Sequence, residues 1–416
     1  MTELEYVEIE GFKGLEYVEF EPTDINLITG RNNTGKTSFL EAVDLLFTPK
    51  RITDFGDNLG HVINNRYETG NLGAETRASD IEISLEHPSP SEARKYFSEV
   101  VLEKVEYNLQ FNSPPFDDAE ETGLKDEIDE IVQRSVEKQL TQESIAELRE
   151  EILVLSISGS KFPYLLGGDQ SKAILKTAWE EVRKNLGQRE ELDSILVISN
   201  EALVGYLDFG SEDVELGLET GKLHLVSPEN RGSVTFIESI NLAEGIERKG
   251  DDREPIKIDD IGDFVKEKGI VDDLKTFTLE SLIFEDENGE KEQVPYDFMG
   301  DGFKSIVGLL WELMDDDVEN EIVLIEEPET HMHPGYVTEL VHFLIDLARD
   351  EDIQFFITTH DHDFIRDFFT DMPEEKRDYL EDEFSLVKMD DFGADVSTYE
   401  EAEHQLKDLH LDLRGI

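Results

Sequence analysis

The strongest constraint on the fold is one octapeptide, Gly30-Arg31-Asn32-Asn33-Thr34-Gly35-Lys36-Thr37, set between an apolar run and a helical pattern. Its form, G-x-x-x-x-G-K-[ST], needs one local geometry. The glycines let the backbone curl so that successive N–H groups face phosphate oxygens, at the positive end of the helix that follows. Lys36 then reaches the β- and γ-phosphates, the Thr37 hydroxyl takes a place on Mg²⁺, and Ser38 lies in the same first turn. Ile25–Thr29 supplies the strand before the loop. Leu40, Val43 and Phe47 recur at helical spacing from about Lys36, and Pro49 marks the stop.

A second segment completes the pattern. Ile322-Val323-Leu324-Ile325 is an apolar run that ends in Glu326-Glu327-Pro328. A strand buried on both faces delivers its last side chains to the ligand edge of a parallel sheet. There Glu326 would hold Mg²⁺ through water, and Glu327 would polarise the attacking water. In a chain with 99 acidic residues, two glutamates after a strand say little alone; their partnership with the phosphate loop gives them meaning. Downstream, Gly335–Arg349 is amphipathic and Ile353–Thr359 is a second apolar strand, so strand, helix and strand form a parallel unit.

The rest of the chain is less regular. LEYVE occurs at Leu4–Glu8 and again at Leu15–Glu19, around Gly11 and Gly14, and reads as a hairpin. Glu82–Leu85, Val105–Phe111, Ile152–Ile157, Ser194–Ser199 and Ser233–Ile237 read as strands. Asp117 to about Ile152 reads as charged and helical, Asp259–Leu282 as mostly helical, and Phe303–Met314 is an apolar helix. No heptad pattern runs far enough for a long coiled coil.

The two motifs lie far apart, with 290 positions from Lys36 to Glu326, and no N-K-x-D guanine motif occurs. The set resembles an ABC-class ATPase head of the SMC, RecF and OLD (overcoming lysogenization defect) type. Phe298-Met299-Gly300-Asp301-Gly302-Phe303-Lys304-Ser305 occupies the place of the ABC signature. That resemblance implies that Gly300, Asp301 and Gly302 contact the γ-phosphate held by another subunit. Gly300 stands where the usual signature has serine, so contact falls to backbone N–H groups and Lys304. Glu329-Thr330-His331-Met332-His333-Pro334 resembles the E-x-H-x-H-P run of OLD-like heads, and His360 stands where ABC proteins carry the switch histidine. A metal set of His331, His333, His360 and His362 is the alternative use of these histidines. The Q-loop glutamine has no clear position.

The resemblance implies a fold class: an α/β P-loop head with a mixed-sheet lobe, a parallel-sheet lobe and a helical insertion. A single head over 1–416 divides into the hairpin and phosphate loop (1–50), strands with the insertion (51–293), and the signature, acidic strand and switch histidine (294–416). ATP and Mg²⁺ are the implied cofactors. The implied assembly is an ATP-dependent head-to-tail homodimer. No Toprim domain is expected, because only 56 residues follow His360.

The formal net charge is −61, spread from end to end rather than gathered in a tail. Such a surface repels itself in dilute buffer, and near 1 M salt, where the Debye length is roughly 3 Å, that repulsion is screened. The composition suits a salt-accumulating, halophilic cytoplasm. DNA contact would need a local basic patch. The N-terminus lacks the basic and apolar regions of a signal peptide and no run approaches a membrane span, so a cytoplasmic protein without membrane contact is expected. With no cysteine, disulfides and thiolate metal sites are absent. Three functions fit: a switch for a separately encoded nuclease or other effector, as in anti-phage defence; a RecF/SMC-like DNA-binding repair ATPase; and an ATP-binding scaffold with little hydrolysis.

Overall fold

The computed structural model describes residues 3–112, 124–141, 152–160, 163–167, 169–186, 230–232, 234–238, 254–286, 288–314, 322–390 and 393–414. The chain opens with β1 (Leu4–Glu10), β2 (Tyr17–Phe20) and β3 (Ile25–Gly30), and α1 (Lys36–Phe47) follows the phosphate loop. A 3-10 stretch leads to β4 (Thr69–Thr76) and β5 (Asp80–Glu86). Next come α2 (Pro90–Asn112), α3 (Leu124–Gln139), β6 (Ile152–Ile157), β7 (Tyr164–Gly167) and α4 (Asp169–Leu186). β8 (Val234–Glu238) precedes α5 (Glu254–Glu267), β9 (Leu274–Phe277), β10 (Ser281–Glu285) and β11 (Lys291–Pro295). The last third holds α6 (Asp301–Leu313), β12 (Ile322–Glu326), α7 (Pro334–Glu351), β13 (Gln354–Thr358), α8 (His362–Asp367), α9 (Glu374–Glu383), β14 (Phe384–Met389), β15 (Ala394–Thr398) and α10 (Tyr399–Lys407).

Among the described residues, two six-stranded sheets frame the molecule. One is antiparallel, in the order β2-β1-β4-β5-β6-β7. The other runs β15-β14-β3-β13-β12-β8, parallel throughout except for β15 at its edge. The expected α/β head with a parallel lobe is therefore present, and the lobe expected to carry a mixed sheet is antiparallel in every described pairing. The central strands of the parallel lobe are apolar on both faces because both are covered. Ile28, Ile322, Leu324, Phe356 and Val387 face α1 and the antiparallel sheet. The alternate residues Leu27, Val323, Ile325, Phe355 and Ile357 face the core built with α5, α6 and α7. Phe39 on α1 bridges the layers, its ring 5.6 Å from Phe20 and 6.0 Å from Phe356. A third core packs α2, α3 and α4 against Ile152 and Val154 of β6, around the fully buried Trp179.

Several sequence expectations hold to within two residues, among them the hairpin β1–β2, α1, β6, β12 and the parallel pair β12–β13. Others fail. Val105–Phe111 is the end of helix α2, not a strand. Asp259–Leu282 is not one helix: α5 stops at Glu267, Gly269 turns the chain at φ +62°, and β9 and β10 follow. Ser194–Ser199 lies outside the described residues. The three-stranded sheet β11-β10-β9 was not anticipated.

Candidate nucleotide site

The phosphate loop is built around positions where a side chain cannot fit. β3 is buried along its whole length and ends at Gly30, φ +152°. A Cβ there would lie 2.6 Å from the Met389 carbonyl oxygen and 2.7 Å from Thr34 Oγ1. Asn33 (φ +66°) and Gly35 (φ +92°) are left-handed, which curls the loop outward. Arg31, Asn32 and Asn33 are exposed, whereas Thr34 and Lys36 are buried. The Thr34 hydroxyl donates to the Arg31 carbonyl at 2.9 Å and closes the turn. Gly35 caps α1 without a side chain, so the first-turn N–H groups face outward uncapped, as an anion site requires.

Lys36 Nζ donates to the Gly30 and Arg31 carbonyls at 3.0 and 3.1 Å. Burial pulls its pKa down, and the charges of Glu327, Glu329 and Glu326 oppose that shift. Thr37, one residue on, donates its hydroxyl to Glu326 Oε1 across the sheet. The loop and the acidic strand therefore meet side chain to side chain at one point. Thr37 and Glu326 offer only oxygen ligands there, the set that suits a hard cation such as Mg²⁺.

The acidic edge follows from strand register. Glu326 pairs with Thr358 on β13 and with Glu238 on β8. Glu238 is a third carboxylate on this edge that the sequence reading missed. The signal was there, since Val-Thr-Phe-Ile-Glu at 234–238 repeats the apolar-then-acidic form of Ile322–Glu326. Glu327 adopts φ +47°, and its N–H donates to the Thr358 carbonyl at 3.0 Å. His360 Nδ1 lies 2.8 Å from Glu327 Oε1. A carboxylate only accepts, so the ring nitrogen is the donor. Beneath this pair, buried Glu329 accepts from the Thr359 hydroxyl. Burial pushes the Glu329 carboxyl up to about 7, the Thr359 bond opposes that rise, and the charges of Glu327 and Asp361 add to it.

The Gly300–Gly302 turn opens α6. Gly300 is the N-cap residue, and nothing lies within 4 Å of a Cβ placed on it. Asp301 is exposed. Gly302 differs: a Cβ there would sit 2.4 Å from the carbonyl oxygen of His331 in the same chain. Its smallness seats α6 against the turn after β12, a reason the motif alone does not reveal. Phe298, just before, is 81% exposed. Lys304 Nζ donates to the Asp297 carbonyl at 3.0 Å.

The other histidines have separate surroundings. His333 caps α7, its Nδ1 accepting from Gly335 N–H at 3.1 Å. His331 is exposed at φ +67°, and His362 faces Asp363 at 3.9 Å. Among the described residues, no group of three or more His, Asp or Glu is arranged to hold a metal ion. A recess of about 490 Å³ opens beside the phosphate loop, lined by Lys13, Gly14, Asn33, Thr34, Asn64 and Arg66 among others.

Residues 3–188 match the family model described as "AAA ATPase domain", and residues 206–367 match the one described as "AAA domain, putative AbiEii toxin, Type IV TA system". The DNA replication and repair protein RecF of Nitrosococcus oceani is 40% identical over 47 residues, which span 11% of this chain and 13% of that protein's length. The SMC head domain from Thermotoga maritima is similar at 10% identity and a TM-score of 0.41, over 95% of this chain and 98% of that one. A RecF structure, titled as a recombination mediator of the RecFOR pathway, is similar at 11% identity and a TM-score of 0.34, over 95% and 98%. The two family matches, each over less than half of the chain, between them take in the phosphate loop, the acidic strand and His360, and they support a P-loop ATPase of the AAA type.

Proposed function

We propose that this ATPase hydrolyses ATP at the Thr37–Glu326 meeting point, with Glu327 as the base, and that nucleotide-driven pairing of two heads switches a separate effector. The observation that carries the first part is the pair of contacts at one sheet edge, Thr37 to Glu326 and His360 to Glu327. In this reading the backbone of Gly30–Thr37, with Ser38 in the same helical turn, cradles the phosphates, and Lys36 leaves its two carbonyls for them. Thr37 and Glu326 would hold Mg²⁺, which supplies charge neutralisation on the phosphates. His360 holds one oxygen of Glu327 by Nδ1, which leaves the other to take a proton from water as its oxygen attacks the γ-phosphorus. The β–γ bridging bond breaks, and ADP leaves with the electron pair. The recess beside Asn33 would take the nucleoside.

The second part rests on the open turn at Gly300–Asp301 and the exposed Phe298 beside it. Uncapped N–H groups and an apolar side chain on one surface suit a face that closes over another head's phosphates. Gly302→Asp cannot test this, because it would clash with His331 of its own chain. Gly300→Asp can, because it adds like charge in open space. Lys36→Ala and Gly300→Asp are each expected to be inactive alone. Mixed one to one with free exchange, they should regain about a quarter of the wild-type rate, from mixed dimers that each hold one intact site. A mixture that stays inactive while mixed dimers form with ATP bound would remove the independent composite site.

The partner is separable by copurification from the native host at high salt. A nuclease or other enzyme in stoichiometric amount is expected for the switch. Enrichment of DNA in its place would favour a DNA-binding repair role, the reading that the short RecF match favours. The even acidic charge makes salt part of that design, since surface repulsion over ~10 Å at about 0.1 M falls to ~3 Å near 1 M. No helix among the described residues is long and apolar enough to cross a membrane.

A further inference from the structure

We propose that Glu329 is a positioning residue for hydrolysis, acting through Thr359 to hold His360 and Glu327 in register. The inference rests on the hydrolytic reading above. The His360–Glu327 bond cannot hold itself in place, because the two side chains are 52% and 30% exposed and water competes for both. What fixes it lies underneath. Thr359 is fully buried, and its N–H donates to the Ile28 carbonyl of the phosphate-loop strand at 3.0 Å. Its Oγ1 accepts from Asp361 N–H at 3.0 Å, which sets the turn that carries His360. The one hydroxyl proton of Thr359 goes to Glu329 Oε1.

Glu329 in turn is tied into the other turn. Its carbonyl accepts from Met332 N–H at 2.9 Å, and the Glu327 carbonyl accepts from Thr330 N–H at 3.1 Å. The turns after β12 and β13 are therefore bridged twice. Glu327–His360 spans them on the wet side and Glu329–Thr359 on the dry side. Removing Glu329 leaves a buried hydroxyl proton without its acceptor, and the His360 turn relaxes to find another. Glu329 does not touch the phosphates in this scheme; it acts only through Thr359.

Steady-state ATPase kinetics test this directly. Glu329→Ala and Thr359→Val should each lower kcat by at least about tenfold, with KM for ATP held within about twofold. The double variant should be no slower than Thr359→Val, because that single change already removes the Glu329–Thr359 bond as well as the acceptor of Asp361 N–H. Glu329→Gln keeps a carbonyl acceptor, and Thr359→Ser keeps the hydroxyl; each should recover most of the lost rate. If Glu329→Ala does not fold, Glu329→Met, which fills the space without a carboxyl acceptor and leaves the Asp361–Thr359 bond in place, replaces it. Additive losses in the double variant, or full kcat in Glu329→Ala or Thr359→Val, would overturn the proposal. Glu327→Gln measured alongside keeps the two ideas apart. If Glu327→Gln hydrolyses normally, the site reading fails. If it is inactive while Glu329→Ala and Thr359→Val keep full rate, only the positioning role fails.

Discussion

Glu327→Gln is expected to bind ATP as tightly as the wild type and to hydrolyse it about 10²–10⁴-fold more slowly, the usual contribution of a positioned base. The amide keeps the shape of the carboxyl and can still accept from His360 Nδ1, now 2.8 Å from Oε1. It cannot take a proton from water. Binding should survive because the Thr37–Glu326 contact and the Lys36 cradle are separate groups. Glu326→Gln should behave differently. It weakens an oxygen ligand, so the activity should demand more Mg²⁺ and recover in part when Mg²⁺ is raised. Single-turnover hydrolysis, with ATP binding measured in parallel, separates the two. If Glu326→Gln is the variant that binds ATP and stalls at every Mg²⁺ concentration, the roles of the two carboxylates are exchanged.

What was legible in the sequence depended on how many requirements met at a position. At the phosphate loop, glycine spacing, a strand before it and helical periodicity after it all agreed, and α1 runs over Lys36–Phe47 as read. The parallel lobe was legible because a strand covered on both faces is apolar without interruption, as in Ile322–Ile325. Val105–Phe111 misled because Val105, Tyr107, Leu109 and Phe111 alternate with polar residues, the period of a strand. The helix they end had better evidence upstream: Pro90 at its first position and buried Ala93, Phe97, Val100 and Val101 at helical spacing. Reading Asp259–Leu282 as mostly helical passes over a visible stop. Gly269 follows Lys266 and Lys268, and Ile270 N–H closes back on the Val265 carbonyl at 3.1 Å, as a glycine-terminated helix does.

The site shows the same division. Glu326, Glu327 and His360 could be proposed because each ends, or follows within two residues, a strand of the parallel lobe. Glu329 could be named as part of a run but not understood, since among 99 acidic residues nothing marks one as buried. The work of Gly302 was hidden for a related reason. A motif shows that small size is needed, but only packing shows that the neighbour is the His331 carbonyl of the same chain.

Lys36→Ala is expected to abolish ATP binding while leaving the fold in place. In the structure the ammonium group is buried and bonded to the Gly30 and Arg31 carbonyls. Those carbonyls are poor substitutes for phosphate: they are neutral, and burial already lowers the lysine's hold on its proton. A triphosphate brings negative charge to an enclosed site where screening is weak, so the exchange of carbonyls for phosphate oxygens strongly favours the bound state. Without Lys36, the carboxylates of Glu326 and Glu327 face the incoming phosphates, with Glu329 buried beneath them, and no buried cation from the loop offsets their charge. The fold should tolerate the change. Gly30 is still pinned against Met389, the Thr34 hydroxyl still closes the turn on Arg31 at 2.9 Å, and α1 keeps Phe39, Leu40 and Val43 in the core. Thermal melts with and without Mg-ATP give the measurement. The wild type should gain stability with ligand, by about 2.7 kcal/mol at a hundredfold excess over Kd. The variant should melt near the wild-type apo temperature and gain nothing. A variant that still gains as much as the wild type would mean that phosphate is bound elsewhere than at Gly30–Thr37.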